Sequence, residues 1–533
     1  MVATKRLMNI PLFKLLLCTL IGAVCSLSPQ QLSDSYIVNL GYAQYQGVYD
    51  SSTNVTNYRG VRYAAPPTGD LRWRAPQVPE YVSGVQQAST DPPSCFQAPA
   101  GGPPDGFSTE VAAEAEDCLF LNVAFPGARI PPKGLPVVIW IHGGGYIFGN
   151  ASQWHASDLI KGSRDSVVAV VIQYRLGLFG FLAGNKVKKD GALNAGLLDQ
   201  NFALRWVHDN FGGDPTQVTI WGQSAGGGSV LQHVIAEDGQ TSPKLFKAAI
   251  SSSTALSSQY EYNNDIPENL YNEVVSQANC LSSSDSLACL RAAAVELLAT
   301  ANVNINTAGF FGTPTFVPVI DGTFITQSPT AALRQGKLNG ETLLAVGNMN
   351  EGVLFVNQTA PANVSQYARD LFPKFGLREA DAVVQQYKGL GTKLDQVNLI
   401  MGEAIFVCPT YLITEAFKDH AYRGLFAIPP ALHGDDLNYY FPTSPLSLPT
   451  NFNNSNFQKA FSDSFLSFVV HQNPNVKLDP TSILPKWNKF SDGHNEMVFN
   501  RTNNAPDIHS VTADQALLER CKFWESVAMF TGQ

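Results

Sequence analysis

The chain alternates between short, continuously apolar runs and segments with helical spacing. Residues 135–142 (LPVVIWIH) and 167–174 (VVAVVIQY) are apolar and rich in β-branched side chains. A run with no polar face predicts a strand buried on both sides, as in a parallel sheet. Shorter strands are predicted at residues 119–125, 218–221 (VTIW), 247–251, 343–348 and 424–427. Between them, residues 194–210 place Leu197, Leu198, Phe202, Leu204, Trp206 and Val207 at helical spacing. Residues 224–235 run from a Gly-rich start into another helix, and residues 264–298, 458–470 and 514–530 read as helices. The first of these three contains a small loop between Cys280 and Cys289. Near the start, residues 35–50 alternate as a hairpin does, and residues 59–67 read as a strand running into Pro66-Pro67. Strands alternating with helices predict an α/β fold with a large, mostly parallel sheet flanked by helices. No internal repeat and no Gly/Ser or charged linker divides the chain, which predicts a single domain over residues 26–533.

Residues 1–25 carry a different pattern. Lys5 and Arg6 precede an apolar run at residues 15–24, followed by the small residues of Ala23-Val24-Cys25-Ser26. This order predicts a secretory signal peptide cut near Cys25/Ser26. The run is about half the ~20 apolar residues a bilayer span needs, and no later stretch reads as transmembrane. An exported chain can carry glycans at its N-x-S/T sites, Asn54, Asn150, Asn357, Asn363, Asn453 and Asn500. Without Cys18 and Cys25, six cysteines remain, an even count that suggests three disulfides. Near neighbours are expected to pair: Cys95 with Cys118 and Cys280 with Cys289, leaving Cys408 with Cys521. No C-x-x-C occurs, which argues against a zinc or thioredoxin-like redox site, and nothing in the sequence calls for a metal or other cofactor.

Composition narrows the partners. The 533 residues are 44% apolar and 15% charged, with a net charge of −9. No basic cluster exceeds the three lysines of residues 186–189, so the cationic footprint of a nucleic-acid binder is missing.

The sharpest chemical feature is Gly222-Gln223-Ser224-Ala225-Gly226, set between the strand VTIW and a helix. That context is what a G-x-S-x-G nucleophile elbow demands. The serine occupies a tight turn, and its hydroxyl stands at the carboxyl end of the sheet above a helix N-terminus. His142-Gly143-Gly144-Gly145 follows the buried strand at 135–142. Side-chain-free N–H groups there, with the N–H of Ala225, would form an oxyanion hole. A serine needs a base and an acid to orient it, and in this motif class the chain order is Ser, acid, His. His433 closes an apolar stretch and opens Gly434-Asp435-Asp436; His494, among polar turn residues, is the runner-up. For the acid, Glu351 follows the strand at 343–348 and a turn, while Asp321 competes from Pro318-Val319-Ile320-Asp321-Gly322.

On these residues the chain resembles the type-B carboxylesterase/lipase family of α/β-hydrolases, which includes the cholinesterases. Further segments carry the resemblance: Tyr58-Arg59-Gly60-Val61-Arg62-Tyr63-Ala64, Glu116-Asp117-Cys118-Leu119-Phe120-Leu121-Asn122-Val123, Gly196-Leu197-Leu198-Asp199-Gln200, Phe211-Gly212-Gly213-Asp214-Pro215 and Cys521-Lys522-Phe523-Trp524. The resemblance implies an α/β-hydrolase fold and a triad of Ser224, Glu351 and His433. It selects Glu351 through the turn at 348–352 and His433 through His433-Gly434. It also implies oxyanion N–H groups from Gly144, Gly145 and Ala225, and supports all three disulfide pairings.

Departures from the family pattern shape the expected substrate. Arg62 stands where relatives often carry Pro, and the segment at 206–211 is about three residues short. Gln223 is neutral where cholinesterases and many lipases carry an acid. The Cys95–Cys118 loop lacks the Trp with which cholinesterases face a quaternary ammonium. The same loop is the lid of related lipases; here it is short and Gly/Pro-rich. The expectation is a secreted serine carboxylesterase acting on a small neutral ester, with short-to-medium acyl groups preferred over choline esters and long triglycerides. The alternatives are a lipase for longer acyl chains, or a non-catalytic binding protein of the same fold. Members of the latter kind typically lose a triad residue, and this chain keeps all three.

Overall fold

The computed structural model describes residues 36–102, 113–129, 134–210, 213–360, 362–446 and 449–533. The signal-peptide reading of residues 1–25, Pro103-Pro104 of the expected lid loop and Phe211-Gly212 lie outside the described residues. The frame is an eleven-stranded sheet. In chain order its strands are β1 (Val48–Asp50), β2 (Val55–Arg62), β3 (Phe120–Pro126), β4 (Leu135–Ile141), β5 (Val168–Ile172), β6 (Gly213–Gln223), β7 (Ala248–Ser252), β8 (Thr342–Asn348), β9 (Ala421–Phe426), β10 (Asn495–Thr502) and β11 (Ala505–Thr512). Across the sheet they lie in the order β11-β10-β9-β8-β7-β6-β4-β5-β3-β2-β1. The stretch from β10 to β5 is parallel throughout. Antiparallel strands finish both edges. A small second sheet joins Ile37–Asn39, Gln44–Gln46 and Val85–Gln87.

The central strands are apolar throughout because both faces are covered. Val137, Ile139 and Ile141 of β4 enter one layer with Val168, Val170 and Ile172 of β5. Val138 and Trp140 enter the opposite layer with Ala169, Val171 and Trp221. Each fully buried aliphatic side chain contributes roughly 1.5–3 kcal/mol of transfer free energy. The second layer is closed by the helix Ser455–His471, whose Phe457, Phe461, Phe465 and Phe468 recur at helical spacing and are fully buried. Trp221 stacks on Phe465 with ring centroids 5.7 Å apart.

A third apolar cluster gathers the helices Val364–Leu371, Leu377–Tyr387 and Lys393–Gly402 around Trp524. Among the described residues, one continuous helical stretch, Lys393–Ala416, is long and apolar enough to cross a membrane. Its apolar window is 83% buried inside the fold, so it serves as a core helix here. Disulfides join Cys95 to Cys118, Cys280 to Cys289 and Cys408 to Cys521, the three expected pairs.

Several elements differ from the sequence reading. The strand expected at 59–67 begins earlier and ends at Arg62, because the approach to Pro66-Pro67 cannot continue the ladder. Arg62 instead forms a two-pronged ion pair with Asp117 at 2.6 and 2.7 Å. The helical region at 264–298 breaks into Asp265–Gln277, Ser286–Ala292 and Val295–Thr307. The Asp285 carboxylate caps a new helix there by accepting the Ala288 N–H. The β10–β11 hairpin and the helices between residues 364 and 416 have no counterpart in the sequence reading.

Candidate active site

Four loops at the carboxyl ends of parallel strands build the site, the position where open α/β sheets place their ligands. The Gly-rich loop follows β4, Ser224 follows β6, Glu351 follows β8 and His433 follows β9.

Ser224 is the turn between β6 and the helix Ala225–Ile235. Its backbone sits at φ 59° and ψ −124°, a left-handed conformation that costs a non-glycine residue on the order of 1–3 kcal/mol. Neighbours hold it there: the Ser224 N–H donates to Ser252 O at 2.9 Å, and the Ser224 carbonyl accepts the Gly228 N–H at 2.8 Å. The flanking glycines are steric necessities. A Cβ on Gly222 would lie 2.2 Å from Gly226 O, and one on Gly226 would lie 2.0 Å from Ile141 O. The motif therefore records how closely β6, the helix and β4 approach one another.

The loop after β4 turns through Gly144 at φ 101° and Gly145 at φ 62°. A Cβ on Gly144 would meet Phe148 O at 2.1 Å. No described backbone carbonyl accepts the N–H of Gly144 or Gly145. Ala225 opens its helix, so its N–H has no intrahelical acceptor. His142 anchors the loop from below, with Nδ1–H donating to Gly143 O at 2.8 Å and its ring stacked on Tyr174. Burial pulls its pKa down to about 4, so it holds the loop as a neutral ring.

His433 and Glu351 meet directly, with Nδ1 2.5 Å from Oε2. The other Glu351 oxygen accepts the Asn348 N–H at 2.6 Å and the Ser253 hydroxyl at 2.7 Å. The acid and histidine loops are laced together by Met349 N–H to Phe426 O and Asn350 N–H to Ala431 O. Phe355 and Phe406 pack their rings on the imidazole at 4.9 and 4.5 Å. Nε2 of His433 faces the Gln223 amide nitrogen at 3.1 Å. Ser224 and His433 line one cavity of about 690 Å³, with Gly144, Gly145 and Ala225. Its further walls include Phe310, Phe316, Leu354, Met401 and Leu446.

The competing candidates have structural work. Asp321 closes a turn by accepting the N–H groups of Thr323 and Phe324, and takes Asn194 Nδ2 as well. His494 is exposed in the turn before β10. Asn54, Asn357, Asn363, Asn453 and Asn500 are exposed or half-buried. Asn150 departs from the glycosylation expectation: it is 5% exposed and its Oδ1 caps the turn Ala151–Gln153.

Sequence reasoning missed Ser253, Asn348 and Asp436 as parts of this site. Asn348 Nδ2 bridges Ser253 Oγ at 3.1 Å and Asp436 Oδ1 at 3.0 Å. Asp436 lay in the quoted motif, but two adjacent aspartates do not reveal which one turns inward. Burial pushes its pKa up to about 6, and the Asn348 amide opposes that rise. The folded state thus holds this proton more tightly than the unfolded chain, where an Asp titrates near ~3.9. As pH rises from ~4 through ~6, this residue costs stability, to the order of 2–3 kcal/mol. Asp436→Asn keeps the acceptor for Asn348 and avoids the buried charge. The variant is expected to exceed wild type in denaturant-unfolding free energy at neutral pH, with the gap closing toward pH ~4. A gap that is constant with pH would contradict this.

The carboxylesterase family model matches residues 34–524. Lipase 4 of Diutina rugosa is 34% identical over 362 residues, 62% of this chain. This chain spans 65% of that lipase's length, just under two thirds. The carboxylesterase patB of Aspergillus clavatus is 29% identical over 92% of this chain and 96% of its own length. The crystal structure of Aspergillus niger EstA superposes with a TM-score of 0.84 at 29% identity, covering 93% of this chain and 99% of EstA.

Proposed function

The chain belongs to the carboxylesterase family, and on that premise we propose that it is a secreted serine hydrolase of neutral carboxylic esters. The single observation that carries the reading is the shared cavity: a strained serine, a histidine bonded to a buried glutamate, and free N–H donors on one apolar chamber. We read residues 26–533 as one α/β-hydrolase domain, supported by a sheet whose strands run from Val48 to Thr512.

In the proposed reaction His433 Nε2 takes the proton of Ser224 Oγ as that oxygen bonds to the ester carbonyl carbon. The carbonyl oxygen, now an anion, is received by the N–H groups of Gly144, Gly145 and Ala225. Preorganised donors of this kind are worth ~2.7–4 kcal/mol each when one is removed. Glu351 stabilises the imidazolium, which then protonates the departing alcohol. Water, deprotonated by His433, then bonds to the acyl carbonyl carbon; the carboxylic acid departs as the imidazolium returns its proton to Ser224 Oγ. The three disulfides, the surface sequons and relatives such as a secreted triacylglycerol lipase of Gibberella zeae support an extracellular setting.

Tyr439 and Tyr440, which could have offered a cation-binding face, are buried and do not line the cavity. The residue before Ser224 is the neutral Gln223, so no carboxylate there attracts a cation, and a choline ester is expected to react several-fold more slowly than a neutral ester of similar shape. A second reading, a lipase for long acyl chains, is favoured by the volume and apolar walls of the cavity. One series of kcat/KM values from acetate to palmitate, with a choline ester included, separates the readings. The esterase reading expects a maximum at short-to-medium acyl length. A rate that jumps above the solubility limit of a long-chain ester would move the assignment to lipase.

A further inference from the structure

We propose that Gln223 is a positioning residue for His433: its amide holds the free ring nitrogen in the resting site without placing a second negative charge beside the imidazole. The inference rests on the triad reading above and deepens it.

Gln223 is the last residue of β6, and its backbone pairs with Ser252 of β7, so the base of its side chain is fixed. The side chain is wedged between two functional loops. A Cβ on Gly143 would come within 3.0 Å of its Oε1, and one on Gly434 would lie 3.7 Å from its Nε2. With 5% exposure, it is a buried amide that must find partners. His433 donates its Nδ1–H in a hydrogen bond to Glu351, so the neutral ring presents a lone pair at Nε2. That lone pair faces Gln223 Nε2 at 3.1 Å, and among the described residues no hydrogen bond joins it to Ser224. Gln223 therefore occupies the atom that must take the serine proton, and orients the ring until a substrate draws Ser224 into place.

An amide suits this position because it carries no charge and can present either N–H or C=O. It can donate to the neutral ring and, turned over, accept from the imidazolium. A carboxylate there could only accept. It would favour the protonated ring, which is useless as a base. The charged and titratable groups facing His433 are Glu351 on the acid loop and Asp435 and Asp436 on its own loop. Neither Asp435 nor Asp436 hydrogen-bonds the ring, and burial raises the pKa of both. Glu351 is thus the one carboxylate hydrogen-bonded to the imidazole among the described residues, and a second at position 223 would change the balance most.

The test is the pH profile of kcat/KM for wild type, Gln223→Glu and Gln223→Met, on one uncharged ester. An opposite charge within hydrogen-bond reach favours the charged form by about one pK unit or more. The Glu variant should move the acid limb up by about one pH unit, which is about tenfold lower kcat/KM well below both limbs. The Met variant, uncharged and unable to hold the ring, should keep the limb within about half a unit of wild type and lose plateau kcat. A Glu variant whose limb stays within about 0.3 unit of wild type would overturn the proposal. So would a Met variant whose limb moves a full unit, because packing and not charge would then set the limit. If the Glu variant does not fold, the Met variant decides: a plateau kcat equal to wild type would show that the amide holds nothing. Active-site titration with diethyl p-nitrophenyl phosphate at the plateau separates the two levels of the argument. A labelled wild type with an unmoved Glu limb rejects this proposal alone; an unlabelled, inactive wild type rejects the triad reading and this proposal with it.

Discussion

Ser224→Ala is expected to lower kcat for ester hydrolysis by about 10⁴–10⁶ while leaving the fold intact. The hydroxyl makes no capping hydrogen bond to the helix that follows it, so its loss removes the proposed attacking oxygen and little else. The tight turn belongs to the glycines and to the backbone bonds of residue 224, which Ala can also make, and a Cβ is already present at that position. Unfolding free energy should therefore stay within about 1 kcal/mol of wild type or rise slightly, measured by denaturant titration beside the kinetics. A variant that keeps more than a few per cent of wild-type kcat would remove Ser224 from the mechanism.

Glu351→Gln is expected to cost about 10⁴ in kcat, and the hydrogen bonds explain why so small a change would be so damaging. Asn348 N–H and Ser253 Oγ–H both donate to Oε1. A glutamine must keep its oxygen there, which turns its NH₂ toward His433 Nδ1. The ring can then accept at Nδ1 only by carrying its proton on Nε2, the atom that must receive the serine proton. The variant thus installs the wrong tautomer and also withdraws the charge that stabilises the imidazolium. Glu351→Asp should retain more activity, because it keeps the charge and loses only reach. Measuring kcat for both variants checks the argument; a Gln variant more active than the Asp variant would contradict it.

The frame was legible from the sequence because central strands that are covered on both faces must be apolar at every position. The runs that became β4 and β5 carry that signature, and their alternate residues divide between two cores. Edge elements carry no such signature. The β10–β11 hairpin has an exposed outer strand with a mixed pattern, Ala505–Thr512, so neither period marks it in the sequence. The G-x-S-x-G turn and the Gly-rich loop were legible because close backbone approach permits only glycine at Gly144, Gly222 and Gly226. The carboxylate that meets His433 was not legible from spacing alone. Asp321 and Glu351 both follow apolar runs into turns, and the distinction lies in hydrogen bonds between loops distant in sequence. The same reason hid Ser253, which donates directly to Glu351, and Asp436, which is held through Asn348. The neutral residue before the nucleophile was visible as a departure from the family pattern, but its contact with His433 required the fold to bring β6 beside the loop after β9.

Covalent capture decides whether Ser224 is the nucleophile. The full-length protein would be treated with diethyl p-nitrophenyl phosphate, the released p-nitrophenol counted, and the adduct located by peptide mass mapping. One equivalent should be released per chain, with activity lost in step and the phosphoryl group on Ser224. An adduct on any other serine, Ser253 included, or activity that survives complete modification of Ser224, would contradict it.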